Sequence, residues 1–271
     1  MNIRLGFIGT GNMGSAMIKS IARSGIMNPD DIFIFDVNKE QIAALSKETG
    51  VHILSSGKEV VEKTDVIILA IKPQILKTVL EDCKDSLDST KVLVSVAVGV
   101  PIHFYKKILG QNSKIIRTMP NTPALVSEGM TLICCDNNIN AEEKENVQRL
   151  FECFGKVEAL DEKLMSEVTA VTGSSPAYVF MFIEAMADGA VQSGIPRSIA
   201  YKLAAQAVLG SAKMVLETGK HPGELKDQVC SPAGTTIEAV ASLEKNGFRY
   251  AVMEAMNECT KRAREIGKQF E

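Results

Sequence analysis

Tryptophan is absent from this sequence, and Phe and Tyr supply only 5% of its 271 residues. A core for a chain that is 45% hydrophobic must therefore be built from Val, Ile, Leu, Ala and Met. Histidine occurs three times. The six cysteines (Cys83, Cys134, Cys135, Cys153, Cys230, Cys259) share no C-x-x-C spacing and no ligand spacing with those histidines. That pattern excludes a zinc framework and a secreted disulfide scaffold, so a reduced, cytoplasmic protein without a metal is expected. The neighbours Cys134 and Cys135 are either a redox pair or the end of a strand. There is no basic excess, since the formal net charge is -3, which argues against a nucleic-acid surface. No run approaches the roughly 18 apolar residues of a membrane span, and "MNIRLGFIGTG" is too short and glycine-rich for a secretory leader. Low-complexity segments and repeats of fixed period are also missing.

The chain has two kinds of periodicity. Up to about residue 160, short β-branched runs alternate with helical patterns: "IRLGFIG", "IFIFD", "DVIILAIKP", "KVLVSVAVG", "KIIRTMPN", "GMTLICC" and "KVEAL". Several are apolar on both faces, as buried parallel strands should be. Helical stretches at Met13–Ser24, Lys39–Thr49 and Gln74–Ser86 separate the early ones. The alternation predicts an α/β fold with a doubly wound, Rossmann-like sheet over residues 1–160. Beyond Asp161 the strand signal stops, and residues 161–271 read as an all-α domain. Several of its helices are apolar over more than half their circumference. About 110 residues cannot bury so many such faces alone, so a partner subunit is expected.

"GFIGTGNMG" places Gly9-x-Gly11-x-x-Gly14 between an apolar strand and a helix. In that setting Gly9 makes the tight turn, Gly11 admits a pyrophosphate, and Gly14 lets helix and strand pack closely. The first helical N–H groups, from Asn12 and Met13 onward, meet the phosphates. A plain turn without ligand is the alternative. The second strand ends at Asp36, where an acid accepts the ribose hydroxyls of NAD(H) and repels the 2'-phosphate of NADP(H). Asn38 and Lys39 follow and can accommodate that phosphate, so both dinucleotides stay open. Ala70, Ile71, Lys72 and Pro73 close the third strand, and Ala97 and Val98 follow the next. Both stretches fall on the ligand edge of such a sheet. Lys72 is either a cofactor contact or a solvated lysine. Asn121 in "MPNTP" either meets the nicotinamide amide or shapes the site, and a structural turn explains it equally well.

The helix entrance "CSPAGTTIEAV" has no cationic side chain, and an ordinary N-cap accounts for its letters. Taken with "GFIGTGNMG", "AIKP", "RTMPNTPALV" and "GSSPAYVFMFIEAMADGAV", it carries a resemblance to the pyrroline-5-carboxylate reductases that runs from about Arg4 to Lys261. Ala233 stands where that family usually has glycine. The resemblance implies NAD(P)H-dependent reduction of 1-pyrroline-5-carboxylate to L-proline, an interlocked homodimer and, in many members, a decamer of five dimers. Most members prefer NADPH, whereas Asp36 favours NADH, so use of both is expected. It further implies that the substrate carboxylate meets Ser231 and the N–H groups of Gly234, Thr235 and Thr236. Gln228 lies within reach, and the hydroxyl of Thr236 stands beside the imine nitrogen. Capping explains Ser174, Ser175 and Pro176, and His221 reads as structural. Two rivals are a hydroxy-acid dehydrogenase, which needs a Lys or His base, and a nucleotide sensor without turnover, which has no use for this entrance.

Overall fold

The computed structural model describes Met1 and residues 3–270. One sheet holds eight strands: β1 (Leu5–Ile8), β2 (Ile32–Phe35), β3 (His52–Ile53), β4 (Val66–Leu69), β5 (Val92–Ser95), β6 (Lys114–Met119), β7 (Gly129–Cys135) and β8 (Gly155–Ala159). Their order is β3-β2-β1-β4-β5-β6-β7-β8. Every pairing is parallel except β6 with β7, which is antiparallel. The order reverses between β1 and β4, where a doubly wound sheet opens its ligand crevice.

Strands β1, β4 and β5 are buried at every residue. They are apolar throughout because helices cover both faces of the sheet. Neighbouring residues alternate between two cores. Phe7 joins Met17, Ile18 and Ile21 of α1 (Asn12–Ser24). Ile8 joins Leu76 and Leu80 of α4 (Pro73–Cys83) and Tyr105 of α5 (Ile102–Leu109). The same alternation settles the cysteine question. Cys134 faces the second core and Cys135 packs against the first, so their sulfurs point apart. Burial raises both thiols, Cys134 to about 11, and holds them protonated.

Three further helices are capped by side chains. Asn38 caps α2 (Lys39–Thr49), Ser56 caps α3 (Gly57–Lys63), and Asn140 with Glu143 makes a capping box at α6 (Ala141–Glu152). Each such cap is worth about 1 kcal/mol.

The chain divides into two compact units, residues 1–174 with 259–271, and residues 175–258. The break follows Ser174 and not the last strand. Residues 161–174 form 3-10 turns whose Met165, Thr169 and Ala170 are buried, with Met165 in the core beneath the sheet. The second unit contains α7 (Ser175–Gln192), α8 (Arg197–Thr218), α9 (Pro222–Val229), α10 (Thr235–Lys245) and the first half of α11 (Phe248–Gly267). Pro196 precedes α8 and Gly219 ends it in the left-handed conformation, the usual places for proline and glycine at helix ends. The two-residue strand β3 and the short helices α3, α5 and α9 carry too few periodic residues to announce themselves.

The core of the second unit consists of Ala187, Ala200 and Ala204. Large apolar side chains remain outside it, among them Phe180, Met181, Leu203, Leu209, Met214 and Tyr250, each more than half exposed. Full burial of a side chain of that size is worth about 1.5–3 kcal/mol, so even at partial exposure the six together forgo an amount comparable with a domain's net stability.

Candidate active site

The dinucleotide residues picked from the sequence all lie after the carboxyl ends of β1, β2, β4, β5 and β6, along one edge of the sheet. Gly9 has φ 99° and its N–H donates to the Phe35 carbonyl at 2.9 Å. A Cβ there would stand 2.5 Å from the Ala70 carbonyl oxygen, and one on Gly14 would strike the Gly9 carbonyl. A Cβ on Gly11 would meet nothing within 4 Å. The turn is therefore packed against protein at Gly9 and Gly14 and open at Gly11, the shape needed for close approach by a pyrophosphate. Gly11 is also the N-cap of α1, with no side chain filling the cap. Its first N–H groups are left for an anion. These features fit a dinucleotide.

Asp36 does more than wait for a ribose. Its Oδ2 accepts from the Thr10 N–H at 2.6 Å and from the Thr10 hydroxyl at 3.2 Å, and its Oδ1 accepts from the Asn38 N–H at 2.9 Å. The Gln41 side-chain amide donates to the Thr10 carbonyl. Thr10 is fully buried. Asp36 and Gln41 thus bolt the glycine turn to the loop after β2, a role that sequence reading missed because the partners are 26 and 31 residues apart. Asn38 is occupied as well, its Oδ1 accepting from the Gln41 N–H at 3.1 Å. Lys72 is exposed, at the N-cap of α4 beside Pro73, and follows Ala70 and Ile71.

Ala97 is buried and Val98 is 39% exposed in the turn after β5. Val98 lines a cavity of about 340 Å3 with Met119, Pro120, Thr169, Cys259 and Ile266. There the Cys259 thiol donates to the Ser174 hydroxyl at 3.1 Å. Asn121, 8% exposed, is committed on both sides of its amide. Its Oδ1 accepts from the Met130 N–H at 2.9 Å and its Nδ2 donates to the Thr172 carbonyl at 3.0 Å.

The residues expected from the sequence to meet the substrate lie in the second unit. Ser231 to Gly234 form a β-turn closed by a hydrogen bond from the Gly234 N–H to the Ser231 carbonyl at 3.0 Å. Pro232 takes its second position, and Ala233 takes the third at φ 54°, where a type II turn ordinarily needs Gly or Asn. Gly234 is the N-cap of α10, again with no side-chain cap. A Cβ on Gly234 would collide with Ser231 Oγ, so the Ser231 hydroxyl stands over the helix entrance. Thr235 and Thr236 open the helix. Gln228 is exposed on α9, and its amide donates to Glu224 at 3.1 Å. His221 caps α9, its Nδ1 accepting from the Gly223 N–H at 3.1 Å. Glycine stands at the start of α1 and α10 where α2, α3, α6 and α9 have a bonding side chain. Those two helices can offer bare N–H groups to anions.

Comparison with known proteins gives one consistent answer. Residues 162–266 match the family model for pyrroline-5-carboxylate reductase dimerisation, and residues 4–99 match that for coenzyme F420-dependent NADP oxidoreductases. The chain is 49% identical to the pyrroline-5-carboxylate reductase of Escherichia coli (strain K12), over 99% of this chain and 100% of that one. It is 41% identical to the Arabidopsis thaliana enzyme of the same name, over 98% and 96%. The crystal structure of Plasmodium falciparum pyrroline carboxylate reductase with NADP bound superposes with a TM-score of 0.90 at 36% identity, covering 98% of each chain.

Proposed function

The chain belongs to the pyrroline-5-carboxylate reductase family, and from that premise we propose which residues carry its chemistry. The reaction is NAD(P)H-dependent reduction of 1-pyrroline-5-carboxylate to L-proline. Bound NAD(P)H supplies the hydride. Gly9, Gly11, Asn12, Met13 and Gly14 hold the pyrophosphate with backbone N–H groups. Asp36 and Asn38 meet the adenosine ribose, each keeping lone pairs or protons beyond the bonds it already makes. Ala70, Ile71, Lys72, Pro73, Ala97 and Val98 line the remainder of the edge. Asn121 acts by holding the Met119–Pro120 backbone in place, since both ends of its amide are engaged.

The entrance to α10 binds the substrate. Its carboxylate meets the Ser231 hydroxyl and the N–H groups of Gly234, Thr235 and Thr236, with the helix dipole adding to the attraction. No lysine or arginine is required there, which answers the absence of cations in "CSPAGTTIEAV". Thr236 donates a hydrogen bond to the imine nitrogen and passes on a proton as the amine forms. Gln228 flanks the site. The observation that carries this reading is the glycine-capped, side-chain-free start of α10 behind the Ser231–Gly234 turn.

The protein is a homo-oligomer through its dimerisation segment. Its working form is a homodimer, with five dimers closing into a decamer as the larger assembly. It acts in the cytoplasm on a free small molecule, without nucleic acid or membrane. No helix among the described residues is long and apolar enough to cross a membrane. The test is a spectrophotometric assay of NADH and NADPH oxidation with and without pyrroline-5-carboxylate. Oxidation that depends on the imine is expected, and silence with both dinucleotides overturns the reading.

A further inference from the structure

The turn from Val96 to Pro101, between β5 and α5, carries Ala97 and Val98 and is gripped from three directions. Beneath it, the Tyr105 hydroxyl donates to Ser95 Oγ at 2.6 Å, and that same oxygen accepts from the Ala97 N–H at 3.2 Å. Tyr105 and Ser95 are both 0% exposed. The Ser95 carbonyl accepts from the buried Thr118 hydroxyl at 3.1 Å. At the far end, Glu162 Oε1 accepts from the Ile102 N–H at 2.6 Å, with the buried Arg117 guanidinium 3.4 Å from the same oxygen. On the third side Gly99, at φ 81°, lies so close to α11 that a Cβ would stand 2.9 Å from Ile266 Cγ2.

A phenylalanine at 105 would fill nearly the same volume and carry no hydroxyl to desolvate. The hydroxyl that is present bonds, among the described residues, to Ser95 Oγ, which in turn holds the backbone of the turn. Burial pushes Tyr105 well above the usual tyrosine range, so it remains a donor throughout the working pH range.

We infer that Tyr105 is a positioning residue for the cofactor: acting through Ser95, its hydroxyl fixes the Ala97 N–H and with it the Ala97–Val98 wall of the dinucleotide edge. This rests on the functional reading above, which lines the dinucleotide edge with Ala97 and Val98; their turn follows β5, with β1 and β4 between it and the Asp36 end of β2. The Tyr105 hydroxyl touches neither cofactor nor substrate. Its removal should weaken the binding of both dinucleotides alike, because the wall lies away from the 2'-phosphate.

The experiment is a fluorescence titration of NADH and NADPH with the full chain, comparing wild type, Tyr105→Phe, Ser95→Ala and the double variant. All are titrated well below their melting temperatures. Tyr105→Phe is expected to raise the Kd for both dinucleotides about fivefold, the effect of one neutral hydrogen bond. KM should follow Kd, while kcat at saturating cofactor changes less than about twofold. Ser95→Ala should do the same, and the double variant should bind no worse than either single one, since both break one chain of bonds. Melting temperatures that fall while Kd stays at the wild-type value would show a purely structural role and overturn the inference. Multiplied losses in the double variant would also overturn it. Because the titration reads binding, it stands apart from turnover. A wild type that binds both dinucleotides but leaves the imine unreduced removes the functional reading and not the role of Tyr105.

Discussion

Asp36 latches the glycine turn and is proposed to meet the adenosine ribose, and its substitution should show both. The carboxylate repels a 2'-phosphate, and two unit charges about 4 Å apart cost on the order of 1–4 kcal/mol depending on the surroundings. It also latches Thr10 and Asn38. Asp36→Ser is therefore expected to shift the ratio of catalytic efficiencies about tenfold toward NADPH, which is about 1.4 kcal/mol. It should weaken NADH and NADPH together as the turn loosens. Efficiencies for both cofactors at one salt concentration test this, and an unmoved ratio leaves Asp36 as a latch only. For Thr236, replacement by Ala should lower turnover by roughly one to three decades while dinucleotide affinity is kept, the range for losing one positioned donor or acid. Wild-type turnover in that variant would remove Thr236 from the chemistry.

At the scale of elements, two short segments make opposite demands. Ala233 occupies a left-handed position that costs an L-residue roughly 1–2 kcal/mol, while glycine would give back about 0.4–1 kcal/mol in the unfolded chain. Ala233→Gly is expected to stabilise the protein by about 0.5 kcal/mol net, read as a higher denaturant midpoint, and a lower midpoint would place the strain elsewhere. Ahead of α3, the Ser55 hydroxyl and N–H, joined by Lys63, hold the Glu59 carboxyl down from 4.5 to about 2. A depressed acid contributes its stability above the unfolded value and loses it as pH falls through the folded one. Acid unfolding should thus steepen between pH 4.5 and about 2, and Glu59→Gln should flatten that limb. What could be read in advance follows the same scale. The glycine fingerprint, Asp36 at a strand end and Pro196 with Gly219 around α8 are local signals, each decided by a few adjacent residues. The latch from Asp36 to Thr10, the commitment of Asn121 and the tether from Tyr105 to Ser95 are not legible. The first depends on β1 and β2 becoming neighbours in the sheet, and the other two on how α5 and the turns after the last strand fold back against it. Likewise, β3 is two residues long, too short for any period to register.

At the scale of the molecule, the second unit cannot account for itself. Three alanines form its core while Phe180, Met181, Leu209 and Tyr250 stay more than half exposed. Surface of that kind marks an interface, and the dimerisation segment of the family covers the same residues. Light scattering at micromolar concentration should therefore give at least twice the mass of one chain, and a single-chain mass would contradict this account of the helices.

The last residues of α11 give the first unit an unusual history. Cys259 and Ile266 belong to the nucleotide-binding half, although the whole helical unit separates them from its other residues. Ile266 is the side chain against which Gly99 rests. On the ribosome, the turn beside Val98 must wait for the whole helical unit and then Ile266 to emerge before its outer support exists. A nascent chain that stops before Ile266 would carry the glycine-rich fingerprint without the α11 side chain that backs Gly99. By the same token the half cannot be transplanted as one uninterrupted cassette, and a recombination event that moves it intact must carry the helical unit along.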